Sequence, residues 1–363
     1  MTIQPIKIGK RLVGPGYPAY VIAEIGSNFD GSLERAKMLA KMSKEAGADA
    51  FKIQNFIAEK IVSNEGFKNM KIAHQAKWDK PVMEVYKKAE FPREWVREVF
   101  DYCKEIGIDF FSAPYDIEAV DLLEEVGVDV YKIGSGEIDN LEFLAYVAKK
   151  GKPMIIATGS ATSEEVDAAV KTARDAGCSD IILLQCVTNY PSPIADSELH
   201  AMVAMGQKYG VPYGYSDHST GPTQGGDDPL GGLTIPLGTV ALGGCMIEKH
   251  VSDDPTRSGP DHPFAMKIDG NFTQMIAGMH ALESALGTGE KRIMPSEKET
   301  VIVQRRGVCT ARDVKEGETL KREDLEFLRP ATGLKPPQIG LAVGKKAKHD
   351  MPKGTGVQEN DLI

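Results

Sequence analysis

The sequence predicts an α/β protein, a (β/α)8 barrel of the TIM type followed by a small β-rich domain. Three observations carry this. Eight short runs of aliphatic and β-branched residues recur, and most are followed by a helical pattern. The phrases AGAD, IGID, VGVD and AGCSD precede four of those runs, where glycine suits a left-handed helix end before the turn into a strand. Beyond the eighth unit the chain changes to short strand-like pieces and tight turns.

In order, the strands read at 20–25, 50–54, 109–112, 130–133, 154–158, 181–185, 212–216 and 246–249. Most are continuous apolar runs, as parallel strands covered on both faces require. Helical patterns fall at 33–45, 93–105, 118–125, 164–175 and 272–286. A doubly wound open sheet is the competing architecture, but no GxGxxG follows the first strand. The barrel is assigned to residues 1–287, within the usual size for that fold. Residues 288–304 are polar and read as a linker that includes a short helix. Residues 305–363 form the small domain, in which DVKEGETLKREDL and DMPKGTGVQENDL echo one another.

The formal net charge is −9 and no block of five basic residues occurs, so a nucleic-acid partner is not expected. The start, MTIQPIKIGKRL, lacks the apolar core of a signal peptide, and no stretch reaches eighteen apolar residues. No membrane association is expected. Cys103, Cys178, Cys186, Cys245 and Cys309 are odd in number and form no CxxC pair, which predicts reduced, buried thiols and a cytoplasmic protein.

Barrel enzymes carry their chemistry at the carboxyl ends of the strands. Those ends hold Glu24, Lys52 with Gln54, Lys132 with Ser135 and Glu137, Thr158, Asn189 with Tyr190, Asp217 with His218, and Glu248 with His250. Charges inside apolar strands are costly unless paired or used. Lys52 and Lys132 therefore bind an anion, form a Schiff base, or pair with Glu24 or Glu137. With Gln54 and Ser135 they suit a phosphate and a carboxylate. His218 and His250, delivered by consecutive strands, suit a divalent metal of manganese type completed by oxygen ligands; ordinary hydrogen-bonded histidines are the alternative. Glu24 and Glu137 suit general acid–base work. His74, His200, His262, His280 and His349 read as surface or packing residues, and Trp78 and Trp95 as packing residues.

AEIGSNFDGSL, FKIQ, YKIGSGE, ATG, QCVTNYPSP, YSDH, VALGG…EKH and RSGPDH together resemble the motifs of sialic acid synthases and the wider nonulosonic acid synthases. ARDVKEGETL and FLRP resemble the antifreeze-like (SAF) domain that follows their barrel. The resemblance runs over essentially the whole chain. It implies condensation of phosphoenolpyruvate with an open-chain mannosamine-type sugar, giving a nine-carbon 2-keto-3-deoxy acid and phosphate. Phosphoenolpyruvate would lie on Lys52, Gln54, Lys132 and Ser135, near Thr158. A metal on His218 and His250, manganese with magnesium or cobalt as alternatives, would activate the aldehyde, and Glu137 would handle the water. Thr188, Tyr190 and Asp261 would face the sugar. Arg329 would come from the antifreeze-like domain of a homodimer partner, capping the site.

The chain departs from the family pattern where Ala113 and Ala157 replace hydroxyls, where Thr188 stands for an asparagine, and where Phe29 stands for a histidine. The Gly-rich segment after Asp217 reads as an enlarged loop. Ala113 and Ala157 lower the hydroxyl count of the phosphate pocket that the resemblance implies, whereas Thr188 and the loop open the acceptor to sugars other than N-acetylmannosamine. Two other readings compete: a Schiff-base aldolase using Lys52 or Lys132, and a non-catalytic sugar-binding protein built on the tail.

Overall fold

The computed structural model describes residues 3–68, 70 and 80–363. His74 and Trp78 lie outside the described residues. The chain forms two compact units, Met1–Gly287 and Thr288–Ile363.

In the first unit eight parallel strands alternate with helices: β1 Tyr20–Glu24, β2 Ala50–Asn55, β3 Asp109–Pro114, β4 Tyr131–Ile133, β5 Met154–Ala157, β6 Ile181–Cys186, β7 Tyr213–Asp217 and β8 Met246–Ser252. Their helices are α1 Leu33–Glu45, α2 Val96–Ile106, α3 Ile117–Val126, α4 Leu141–Ala148, α5 Ser163–Asp175, α6 Leu199–Tyr209, α7 Thr234–Ala241 and α8 Thr273–Leu286. Hydrogen bonding runs β3-β2-β1-β8-β7-β6-β5-β4, and β3 lies beside β4, so the barrel is nearly closed. The glycine punctuation acts as the sequence predicts: Gly107 and Gly127 end α2 and α3 at φ of 73° and 93°. Local caps start the helices. Asp116 Oδ1 accepts from the Ala119 amide at 2.9 Å, and Thr162 with Glu165 forms a capping box on α5.

Three of the eight barrel helices escaped the sequence pattern. α4 (LEFLAYVA) and α7 (TIPLGTVA) are apolar almost all round and leave no amphipathic period to read. α6 (LHAMVAMGQKY) is similarly poor in polar residues. α7 also corrects the enlarged loop, because the end of that Gly-rich segment is helical. The helix expected at 93–105 opens as a 3-10 turn, Arg93–Trp95, before α2. β8 runs longer than expected because its end pairs with Met266–Lys267.

The strands sort their residues by face. Outward residues pack against the helices, where Phe29, Phe91 and Trp95 meet edge to face. Inward residues of the amino half, including Tyr20, Ile22, Phe111, Ile155, Ile182 and Met246, form a separate apolar cluster. Ile6, Ile8 and Val13 join it from an antiparallel hairpin, Ile6–Ile8 with Arg11–Val13.

The second unit contains a helix, Lys298–Gln304, and an antiparallel pair, Gly307–Thr310 with Leu325–Leu328. Its core shows why the sequence echoes itself. Val314, Leu320 and Leu325 recur as Met351, Val357 and Leu362 at one constant spacing, and all six are core residues. All five cysteines of the chain are free and buried. Among the described residues, no helix is long and apolar enough to cross a membrane.

Candidate active site

Alternation along the strands turns Glu24, Lys52, Lys132 and Glu248 inward, and all four are buried. Strand register sets Glu24 opposite both Lys52 and His250, and Glu248 opposite Ser216. Lys52 Nζ pairs with Glu24 and lies 3.5 Å from Glu248 Oε1. The same Glu248 oxygen is 3.4 Å from Lys132 Nζ and accepts from Ser216 Oγ at 3.3 Å. Its other oxygen has no hydrogen-bond partner among the described residues. Lys132 thus pairs with Glu248 and not with Glu137, which the sequence offered as a partner.

Burial sets the charge states here. It pulls the Lys52 ammonium down, but the Glu24 and Glu248 carboxylates outweigh it and hold Lys52 above its usual range. Lys132 falls below its ordinary value, because burial exceeds the pull of Glu248. Burial likewise lifts Glu24, against the opposing charge of Lys52. Glu248 is the reverse: burial would raise it, but Lys132 and Lys52 keep it low.

Two residues beyond these, the next inward layer brings His218 and His250 together, with ring centroids 5.5 Å apart. His218 Nδ1 lies 2.8 Å from the Val187 carbonyl oxygen, so it carries the proton and donates, and Nε2 keeps its lone pair. His250 Nδ1 is buried with no hydrogen-bond partner among the described residues. Burial lowers His218 to about 4 and His250 well below its usual value, so both are neutral at neutral pH, the ligating form. Among the described residues no cluster of three or more His, Cys, Asp or Glu side chains suited to a metal occurs. The pair therefore fits an open metal site completed by water and substrate, and not a closed structural one. Behind it, Lys249 Nζ donates to Asp217 Oδ2 at 2.6 Å, a wholly buried ion pair that ties β7 to β8.

A cavity of about 510 Å³ opens above this layer. Gln54, Glu137, Thr188, Tyr190, His250 and Asp261, all but His250 ranked from sequence as catalytic or substrate-binding, line it. Burial raises the half-buried Glu137 above the ordinary carboxylate range, with Asn140 opposing by a hydrogen bond. Asp261 Oδ2 accepts from the Ser27 amide and hydroxyl, each at 2.7 Å. Tyr190 and Phe264 pack on the two imidazoles, with Tyr190 4.2 Å from His218 and Phe264 4.9 Å from His250 between ring centroids. Ser135 Oγ accepts from the Gly159 amide at 3.0 Å. A Cβ at Gly159 would stand 2.8 Å from that oxygen and 3.0 Å from Thr188 Oγ1, which explains the glycine of ATG.

Glu24, Lys52, Lys132, Ser135 and His218 are not among the lining residues, and neither are Thr158, Arg329 and Ala157. Thr158 is buried and donates to the Leu184 carbonyl oxygen at 3.1 Å, outside the cavity lining. Arg329 belongs to the second unit and is exposed. Ala157 belongs to the apolar cluster inside the barrel. Sequence reasoning ranked Glu248 below Glu24 and Glu137 and passed over Tyr115 and Phe264, both of which line the cavity. Glu248 had a signal, since it precedes His250 by one inward step, the same step that separates Lys52 from Gln54. Of the other histidines, His262 is buried and bonded to Asp30 and Ser252, while His200, His280 and His349 are exposed.

A parallel barrel that concentrates buried charges and a polar cavity at the carboxyl ends of its strands is that of a barrel enzyme. The chain matches the NeuB family over residues 39–291 and the SAF domain over residues 305–363. It belongs to the NeuB family. It is 34% identical over 348 residues to an N,N'-diacetyllegionaminic acid synthase of Legionella pneumophila, covering 94% of each chain. A pseudaminic acid synthase of Campylobacter jejuni is 33% identical over 347 residues, with 94% of this chain and 96% of that one covered. The crystal structure of N-acetylneuraminic acid (sialic acid) synthetase from Leptospira borgpetersenii superposes with a TM-score of 0.70 at 30% identity, covering 82% of this chain and 95% of that chain.

Proposed function

We propose that this protein is a nonulosonic acid synthase that condenses phosphoenolpyruvate with an open-chain mannosamine-type sugar and releases phosphate. The observation that carries the reading is the pair of buried lysines sharing Glu248, directly below a cavity lined by polar residues. Lys52 and Lys132, with Gln54 and Ser135, hold the carboxylate and phosphate of phosphoenolpyruvate. Lysine ammoniums in a dry site bind such anions far more strongly than they do in water. Thr188, Tyr190 and Asp261 orient the sugar, with its aldehyde toward His250.

C3 of phosphoenolpyruvate attacks the aldehyde carbon, and the aldehyde oxygen takes up a proton to become a hydroxyl. Water adds at C2, giving one proton to Glu137; the C2–O bond to phosphate then breaks with its electron pair leaving on phosphate, which takes up the remaining C2 hydroxyl proton as the 2-keto group forms. Glu24 holds Lys52 charged and in place. His218 and His250 would hold a divalent ion, manganese in the first instance, which when bound supplies Lewis acidity to the carbonyl oxygen. Arg329 is proposed to serve the acceptor from the SAF domain of a partner subunit in a homodimer.

Lys132 favours one second reading, because burial holds its ammonium below the usual range, as a Schiff-base lysine requires. Borohydride trapping separates the two. A substrate-dependent covalent mass on Lys132 supports the aldolase, and phosphate release without trapping supports the synthase.

A further inference from the structure

Asp217, the last residue of β7, and Lys249 on β8 form a wholly buried ion pair that the proposed reaction does not use. The two stand opposite one another in the register of these strands. Both occupy outward positions, alternating with Tyr215, Ile247 and Val251 of the outer apolar core. Hydrocarbon of similar volume in such positions is often equally stabilising or more so, because desolvating two ions offsets most of their attraction. The pair therefore calls for a reason other than stability.

Its bonds supply one. Asp217 Oδ2 accepts from Lys249 Nζ at 2.6 Å and from Ser219 Oγ at 3.0 Å, while Oδ1 accepts from the Ser219 amide at 2.8 Å. Lys249 Nζ also donates to the Ser219 carbonyl oxygen. One ammonium thus grips the chain on both sides of His218, where β7 ends and its ladder to β8 stops. The same lysine immediately precedes His250. The Gly-rich segment after Asp217 closes over this grip. A Cβ at Gly232 would stand 3.0 Å from the Ser219 carbonyl oxygen and 3.3 Å from Lys249 Nζ. Buried Asp228 fastens that segment, accepting from the Gly232 and Thr234 amides at 3.1 and 2.9 Å.

We infer that Lys249 and Asp217 are positioning residues: their ion pair staples His218 to the strand that carries His250, and so sets the spacing of the two imidazoles for a divalent ion. The Asp217 carboxylate is itself engaged by Lys249 and Ser219, which leaves the other coordination positions to water and substrate. The inference rests on the metal role proposed for the two histidines.

The test measures Mn²⁺ binding to the full chain, first stripped of metal, by the electron paramagnetic resonance of the free ion and without either substrate. Asp217→Asn/Lys249→Met removes both charges at similar volume, and Asp217→Asn alone decides the matter should the double variant not fold. Losing groups that orient metal ligands typically weakens binding ~10–100-fold. A loss of at least about tenfold is expected in the double variant, and a smaller one in Asp217→Asn. Ile155→Ala, which loosens the apolar end of the same barrel, controls for general destabilisation and should keep the wild-type affinity. Wild-type affinity in the folded variants, an equal loss in Ile155→Ala, or a wild-type chain that binds no Mn²⁺ overturns the inference. Phosphate release from phosphoenolpyruvate, read in parallel, tests the synthase reading separately. Release that needs no metal overturns the inference and leaves the synthase standing. Mn²⁺ binding that depends on the ion pair, with no release from any sugar, does the reverse.

Discussion

The two ends of the barrel interior are built from the same eight strands by the same alternation, yet their chemistry is opposite. The amino half is hydrocarbon, with Tyr20, Ile22, Phe111, Ile155 and Ile182 closed off by the hairpin residues Ile6 and Ile8. One or two inward positions further along the barrel, β1, β2, β4 and β8 carry Glu24, Lys52, Lys132, Glu248 and His250, also buried. Burying apolar surface stabilises the fold, whereas burying ion pairs costs desolvation that their attraction only partly offsets. The comparison teaches a division of labour. The amino half holds the barrel together, and the carboxyl half is retained for what it does to a ligand.

The sharpest way to break that division is to neutralise one buried pair as a unit. Glu24→Gln/Lys52→Met removes both ions with little change of volume. The expected loss in kcat/KM is on the order of 10³-fold or more, by analogy with removing a preorganised electrostatic group. The thermal midpoint should stay level or rise, because replacing a buried pair is often neutral or stabilising by ~1–4 kcal/mol. Large destabilisation would show that the ions hold the fold.

The opposite outcome is expected at the other end. Ile155→Ala should cost roughly 2–5 kcal/mol of stability in denaturant unfolding. The kcat/KM of the folded fraction should be unchanged, and an altered KM for phosphoenolpyruvate would blur the division.

A smaller effect concerns Glu137, at the cavity wall. Burial raises its pKa, so it is protonated below that raised value and can accept a proton only above it. Wild-type kcat should therefore fall as pH drops through that value. Glu137→Gln should lower the plateau about 10²-fold and erase this acidic limb. A limb that persists in the variant assigns the titration to another group.

The same contrast decides what the sequence made legible. Strands were readable because both faces are apolar, and charges stood out against that background, as Lys52 in AFKIQ and Lys132 in VYKIGSG do. Helices were readable only where one face stays wet, so α5 was found while α4 and α7 were not. The site was partly legible for a related reason. Each charged residue could be placed at a strand end, but the choice of partner depends on which strands are neighbours around the ring. Lys132 on β4 meets Glu248 on β8 across the barrel, a contact no local pattern encodes. The second unit was legible through its echo, since Val314, Leu320 and Leu325 recur as Met351, Val357 and Leu362.

The most direct test of the account is phosphate release from phosphoenolpyruvate, measured with a panel of neutral and anionic mannosamine-type sugars. It is run with manganese, after chelation, and on His250→Ala. The account predicts sugar-dependent release that chelation abolishes, manganese restores, and His250→Ala eliminates. Release that persists undiminished after chelation and in His250→Ala would contradict it.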